Sequence, residues 1–184
     1  MAKLVATPGQ TVGPFFGYAL PYAGGEDLVD RTHPHAVRLH GRVTDGAGAA
    51  IPDALVELWQ ADEQGNIPHE PGSLRRDGYT FTGFGRAAVD DTGHYQFTTV
   101  EPGATDAGRP PFFMITVFAR GLLDKLHTRA YLPEAAAQGG DAVLSALAPD
   151  RVRTLIATRD GEGSLLFDIR LQGDQETVFL DFGA

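Results

Sequence analysis

The sequence contains no cysteine, which removes a disulfide framework, a thiolate nucleophile and any Cys-ligated zinc or iron–sulfur centre in one step. Long apolar runs are missing as well: no secretory core opens the chain and the longest apolar stretches are strand-length, so the expectation is a soluble cytoplasmic protein. Basic residues are scarce, 15 against 24 acidic ones, and the net charge of -9 argues against affinity for phosphate backbones or anionic membranes. No Gly-x-Ser-x-Gly elbow exists, so a hydrolytic triad has no support. Internal repeats, low-complexity tracts and composition shifts are likewise absent.

What is present suits one domain of 184 residues, a size at which roughly 70% of the unfolded surface is buried on folding. The 23 glycines and 12 prolines imply many turns. Residues 1–34 are irregular and rich in Gly, Pro and aromatics, and read as an N-terminal arm. From residue 35 to 184 short β-rich runs follow, at 37–44, 54–60, 87–90, 94–100, 112–119, 126–132, 153–157, 165–171 and 177–182, separated by turn signals such as Asp45-Gly46 and Pro102-Gly103. The fold expected is mainly β, an antiparallel β-sandwich with few short helices, the one of note being an Asp-started stretch at 141–148.

Several motifs dissolve on inspection. Gly83-Phe-Gly85-Arg-Ala-Ala88 has dinucleotide-binding spacing, but Asp90-Asp-Thr-Gly93 breaks the chain where a phosphate-holding helix would have to run, so the glycines read as a bend or bulge. Asp62-Glu-Gln-Gly-Asn66 resembles a calcium loop, yet Ser73 stands where the bidentate Glu belongs, which leaves an ordinary hairpin turn. His33 and His35 share a face if extended, with His40 nearby, but Pro34 and Arg31 favour a solvated loop over a metal site.

Two features carry more. In the run 126–132, His127, Arg129 and Tyr131 alternate onto one face opposite Thr128 and Ala130. That face is either a plain solvated one or holds an Arg that pairs with an anionic ligand or a partner's carboxylate. The arm segment 11–16 brings Phe15 and Phe16, which need burial against this chain or against another.

These segments give the chain a resemblance to the intradiol ring-cleavage dioxygenases, and within them to alpha-type chains that hold no metal. It rests on Gln10-Thr-Val-Gly-Pro-Phe15, Gly41-Arg-Val-Thr-Asp45 with Val56-Glu-Leu-Trp-Gln-Ala-Asp62, Gly85-Arg86 through Asp90 to Gly103, and Phe118-Ala-Arg-Gly121 with Leu126-His-Thr-Arg129. The ending, Phe167-Asp-Ile-Arg-Leu-Gln-Gly173 with Glu176-Thr-Val-Phe-Leu-Asp-Phe182, fits alpha chains in particular.

Members that do the chemistry hold a non-haem Fe(III) with two Tyr and two His, the histidines as His-x-His after an Arg-Pro. Here Arg109-Pro110-Pro111 is followed by Phe112-Phe-Met114, so the histidine positions hold Phe112 and Met114, and the second tyrosine position falls at Thr105. Tyr79 echoes the first tyrosine. The resemblance therefore implies that a similar, iron-bearing beta chain completes a hetero-oligomer and binds the Fe(III). Thr11, Gly13, Pro14 and Arg129 of this chain would then line the beta chain's substrate site, and no residue here would be catalytic alone. The implied substrate is protocatechuate, a catechol bearing a carboxylate, cleaved with O2, and Arg129 is the candidate cation for that carboxylate. Two other readings stand beside it: a stand-alone transthyretin-like binding module, and a self-sufficient homomeric enzyme that would need four iron ligands.

Overall fold

Period-two alternation builds the strands. The computed structural model describes residues 13, 15–70, 76–136 and 139–182. A one-turn helix α1 (Phe16–Ala19) precedes β1 (Val37–Thr44), where Val37, Leu39 and Val43 point inward and Arg38 and Arg42 outward. There follow β2 (Leu55–Trp59), β3 (Phe84–Ala88), β4 (His94–Thr99), β5 (Phe112–Phe118) and β6 (Leu126–Tyr131). Three short helices, α2 (Pro133–Ala136), α3 (Ala142–Ser145) and α4 (Pro149–Val152), and a 3-10 turn over Arg153–Leu155 lead to β7 (Thr158–Gly161), β8 (Ser164–Leu166) and β9 (Ile169–Arg170). Among the described residues no helix is long and apolar enough to cross a membrane.

Two sheets result. One runs β4-β1-β8-β7, with β9 beside the end of β1; the other runs β3-β2-β5-β6 and is antiparallel throughout. In the first sheet β1 pairs antiparallel with β4 but parallel with β8 and β9, so the sandwich is largely rather than wholly antiparallel. Leu39, Val43, Phe97 and Leu165 of the first sheet meet Val56, Leu58, Phe113, Ile115 and Val117 of the second in the main core. A smaller cluster of Tyr131, Leu144 and Leu155, with Phe112 and Ile156 against it, lies between the end of β6 and the helical segment.

The step from β8 to β9 is pinned by two hydrogen bonds. The Phe167 N–H donates to the His40 carbonyl at 2.7 Å, and the buried Tyr95 hydroxyl donates to the Phe167 carbonyl at 2.5 Å. This brings the Phe167 carbonyl so close to β1 that a Cβ on Gly41 would stand 1.9 Å from its oxygen. Only glycine fits there.

The sandwich expected from the sequence is present, with local departures. The run 153–157 is a 3-10 turn instead of a strand, because Pro149 opens a helix at its first turn and the coil continues into Leu155; only an isolated bridge joins Ile156 to Tyr131. The run 177–182 forms no strand. It follows the sheet edge through single contacts, such as the Leu180 N–H to the His127 carbonyl at 2.7 Å and the Thr128 hydroxyl to the Val178 carbonyl at 2.8 Å. β3 begins earlier than the run at 87–90, since Gly85 belongs to the strand: a Cβ on it would meet Leu28 at 2.4 Å and Phe97 at 3.1 Å. The helix expected at 141–148 spans only Ala142–Ser145, with Asp141 as its N-cap. The turn at Asp62 is closed by its own carboxylate, which accepts from the Gln64 and Asn66 N–H groups, and among the described residues it joins no pair of strands as a hairpin would.

Replacing Gly41 with Ala is expected to destabilise the protein by about 1–3 kcal/mol, the scale of overpacking a tight site. Urea unfolding monitored by circular dichroism measures it.

Candidate functional site

The site is built on the outward face of the second sheet. Strand register aligns Phe84, Trp59, Met114 and Arg129 in one row across β3, β2, β5 and β6, and Arg86, Glu57, Thr116 and His127 in the next. Phe112 opposite Tyr131 extends the same face. Because side chains alternate, the residues between them, such as Phe113, Ile115 and Ala130, are committed to the core.

Beside this face Phe112, Met114 and Thr105 converge with Trp59, Ile67 and Pro111 on a cavity of about 160 Å³. These are the positions at which the resemblance asks for two histidines and a tyrosine. A phenyl ring, a thioether and one small hydroxyl are not a donor set for a hard ferric ion, which takes imidazole, phenolate and carboxylate oxygen or nitrogen. Gln60 at the cavity wall is already engaged, donating to the Ala61 and Val100 carbonyls and accepting from the Thr99 hydroxyl. Tyr79 is not part of this group: it is 96% exposed and borders a different cavity with Asp30 and Arg76. The residues present therefore do not fit the iron.

Arg129 stands at the edge of this apolar group. Its guanidinium carbon lies 4.1 Å from the Phe112 ring centroid, a cation–π contact worth about 1–2 kcal/mol when partly desolvated. Its Nη1 donates to the Tyr131 hydroxyl at 3.0 Å and lies 3.4 Å from Asp141 Oδ2. The Tyr131 hydroxyl in turn donates to Asp141 Oδ1 at 3.0 Å. Asp141, itself buried, also accepts from the Val143 and Leu144 N–H groups at 2.8 and 3.1 Å. Burial above all pushes the Tyr131 phenol up to about 12, so its hydroxyl stays protonated through the physiological range. The Arg129 Nε is buried without a hydrogen-bond partner among the described residues. Sequence reasoning found Arg129 but saw Asp141 only as a helix start; its spacing from Arg129 gives no sign of the contact, which the return of α3 onto β6 creates.

The arm docks in part on its own sheet. Arg86 donates to the Leu20 carbonyl at 2.8 Å and pairs with Glu57 at 2.6 Å, and Leu28 bonds to the Thr98 carbonyl. Phe16 is buried whereas Phe15 stays 74% exposed, so only Phe16 meets the expectation of burial against this chain. Gly13 has φ of 76° and open space where a Cβ would be. Thr11 and Pro14 lie outside the described residues. The histidines divide too: His35 pairs with Glu63, while His40 pairs with Asp160 at 2.8 Å and approaches His94 at 3.3 Å. Among the described residues no group of three or more His, Asp or Glu is arranged to hold a metal.

With this geometry in place, comparison with known proteins identifies the class. A family model described as Dioxygenase matches residues 12–173. The chain is 39% identical over 198 residues to the protocatechuate 3,4-dioxygenase alpha chain of Burkholderia cepacia, covering 98% of this chain and 100% of that one. It is 40% identical to the alpha chain of Pseudomonas putida, covering 97% and 98%. It is also 30% identical to the beta chain of Burkholderia cepacia, over 83% of this chain and 69% of that one. Among solved structures, the dioxygenase domain of a carbohydrate-binding fusion from Streptomyces sp. SirexAA-E superposes with a TM-score of 0.57 at 24% identity, covering 91% of this chain and 98% of that one. The chain belongs to the intradiol ring-cleavage dioxygenase family.

His127 supplies a check on the electrostatics of this face. Desolvation first, then the Lys125 charge, holds its imidazole below the ordinary 6.5. The unfolded chain therefore binds this proton more readily, and its contribution to stability is lost as pH falls from about 6.5 through the lower folded value. In an NMR titration the His127 ring is expected to titrate below 6.5; a midpoint above it contradicts the burial described here.

Proposed function

We propose that this chain is the metal-free alpha subunit of a protocatechuate 3,4-dioxygenase, completed by a protocatechuate 3,4-dioxygenase beta chain that holds Fe(III). The joint enzyme opens protocatechuate between its two hydroxyl-bearing carbons, adding both atoms of O2 to give 3-carboxy-cis,cis-muconate. This is a step of aromatic catabolism on the beta-ketoadipate route, in the cytoplasm. What supports the reading is that the positions at which the resemblance asks for iron ligands hold Phe112, Met114 and Thr105 around one apolar cavity, with the Arg129 cation at its edge.

On this reading the chain contributes binding and orientation. Thr11, Gly13, Pro14 and Arg129 line the neighbouring chain's substrate site, with Arg129 offering a guanidinium to the substrate carboxylate. A protein with net charge -9 repels an anionic substrate over much of its surface, so a local cation beside the opening counts for more. The 1–34 arm and the 35–184 sandwich act as one domain in this assembly, and exposed Phe15 and half-exposed Trp59 are natural contacts for the second chain.

The test is to purify the full chain alone and after co-production with a beta-type chain, and to follow oxygen uptake with protocatechuate. Uptake is expected only from the joint preparation, with the two chains co-eluting. A monomer that ignores the beta chain, or oxygen uptake by the lone chain, overturns the reading.

A further inference from the structure

We infer that Tyr131 and Asp141 are positioning residues for Arg129, orienting its guanidinium toward an external carboxylate without neutralising it. The inference rests on the functional reading of Arg129 given above and adds how its selectivity is set.

The geometry is a relay. Asp141 is fixed at the start of α3, where two backbone N–H groups and the Tyr131 hydroxyl share its Oδ1. Those donors absorb much of its charge. Its approach to Arg129 is the long one, 3.4 Å through Oδ2, whereas the Tyr131 hydroxyl takes the Arg129 Nη1–H at 3.0 Å. The tighter grip on the guanidinium thus comes from a neutral group. Phe112 covers one face of the guanidinium at 4.1 Å, which limits its rotation.

What remains reachable is the accessible part of a guanidinium side chain that is 22% exposed, while its Nε is buried with no acceptor among the described residues. A carboxylate is the chemical class that fits, since a guanidinium held by a neutral hydroxyl keeps its charge for an external anion. A carboxylate directly paired to Arg129 in place of Tyr131 would cancel the charge that this step needs.

The relay predicts selectivity rather than general activity. In the co-assembled enzyme, Tyr131→Phe should lower kcat/KM for protocatechuate about tenfold, the scale of one hydrogen bond to a charged group, mainly through KM. The same variant should leave kcat/KM for catechol, which lacks the carboxylate, within about twofold. Asp141→Asn, which keeps the helix cap, should act in the same direction. Tyr131→Phe added to Arg129→Ala should cause no further loss of discrimination, because the relay acts only through Arg129.

Equal losses for both substrates would show a merely structural role and overturn the inference. So would a further loss of discrimination in the double variant. If Arg129→Ala alone leaves discrimination unchanged, the assignment of Arg129 itself fails. If Arg129→Ala abolishes discrimination while Tyr131→Phe and Asp141→Asn do not, only the relay fails.

Discussion

A pleated strand sends alternate side chains to opposite faces, and in β5 that constraint decides what this protein is able to do. Phe113, Ile115 and Val117 are locked into the sandwich core. Phe112 and Met114 therefore face outward, on the same sheet face as Trp59, Arg129 and Tyr131. A slip of one residue would exchange core and surface throughout the strand, so the register is strongly fixed. The face thus presents a phenyl ring and a thioether, neither of which is a donor for a hard ferric ion.

Phe112 is the platform beneath the Arg129 guanidinium, and Trp59 packs against Phe84 with ring centroids 4.7 Å apart, so the outward face carries aromatic surface beside one held cation. An apolar surface with an anchored Arg is the composition that protein interfaces favour at their centres. The arm adds to it: Arg86 ties residues near α1 to the sheet, while Phe15 is left outside. Under the proposed function, both features belong to a boundary between two related chains.

Much of this was legible in the residues. The alternation in 37–44, 94–100, 112–119 and 126–132 marked strands that the structure reproduces within a residue or so, because each carries an apolar face that must be buried. The failures have physical causes. The run 153–157 has strand-like composition, but the Pro149 helix start overrides it. β7, Thr158–Gly161, is wholly exposed and polar, held by pairing to β8 rather than by any pattern of its own. At the site, the sharing of one face by His127, Arg129 and Tyr131 follows from strand periodicity, whereas their alignment with Phe112 and Met114 is set by the register of β5 against β6. The contact of Asp141 with Arg129 depends on a helical segment folding back over β6, which no local pattern announces.

The central claim is that this chain shapes a pocket whose metal resides on a neighbour. Anomalous diffraction at the iron edge, from crystals of the chain co-assembled with a beta-type partner, tests it most directly. The account predicts an iron peak enclosed by side chains of the partner, with no peak in the cavity formed by Phe112, Met114 and Thr105. Iron in that cavity, held by this chain, would contradict it.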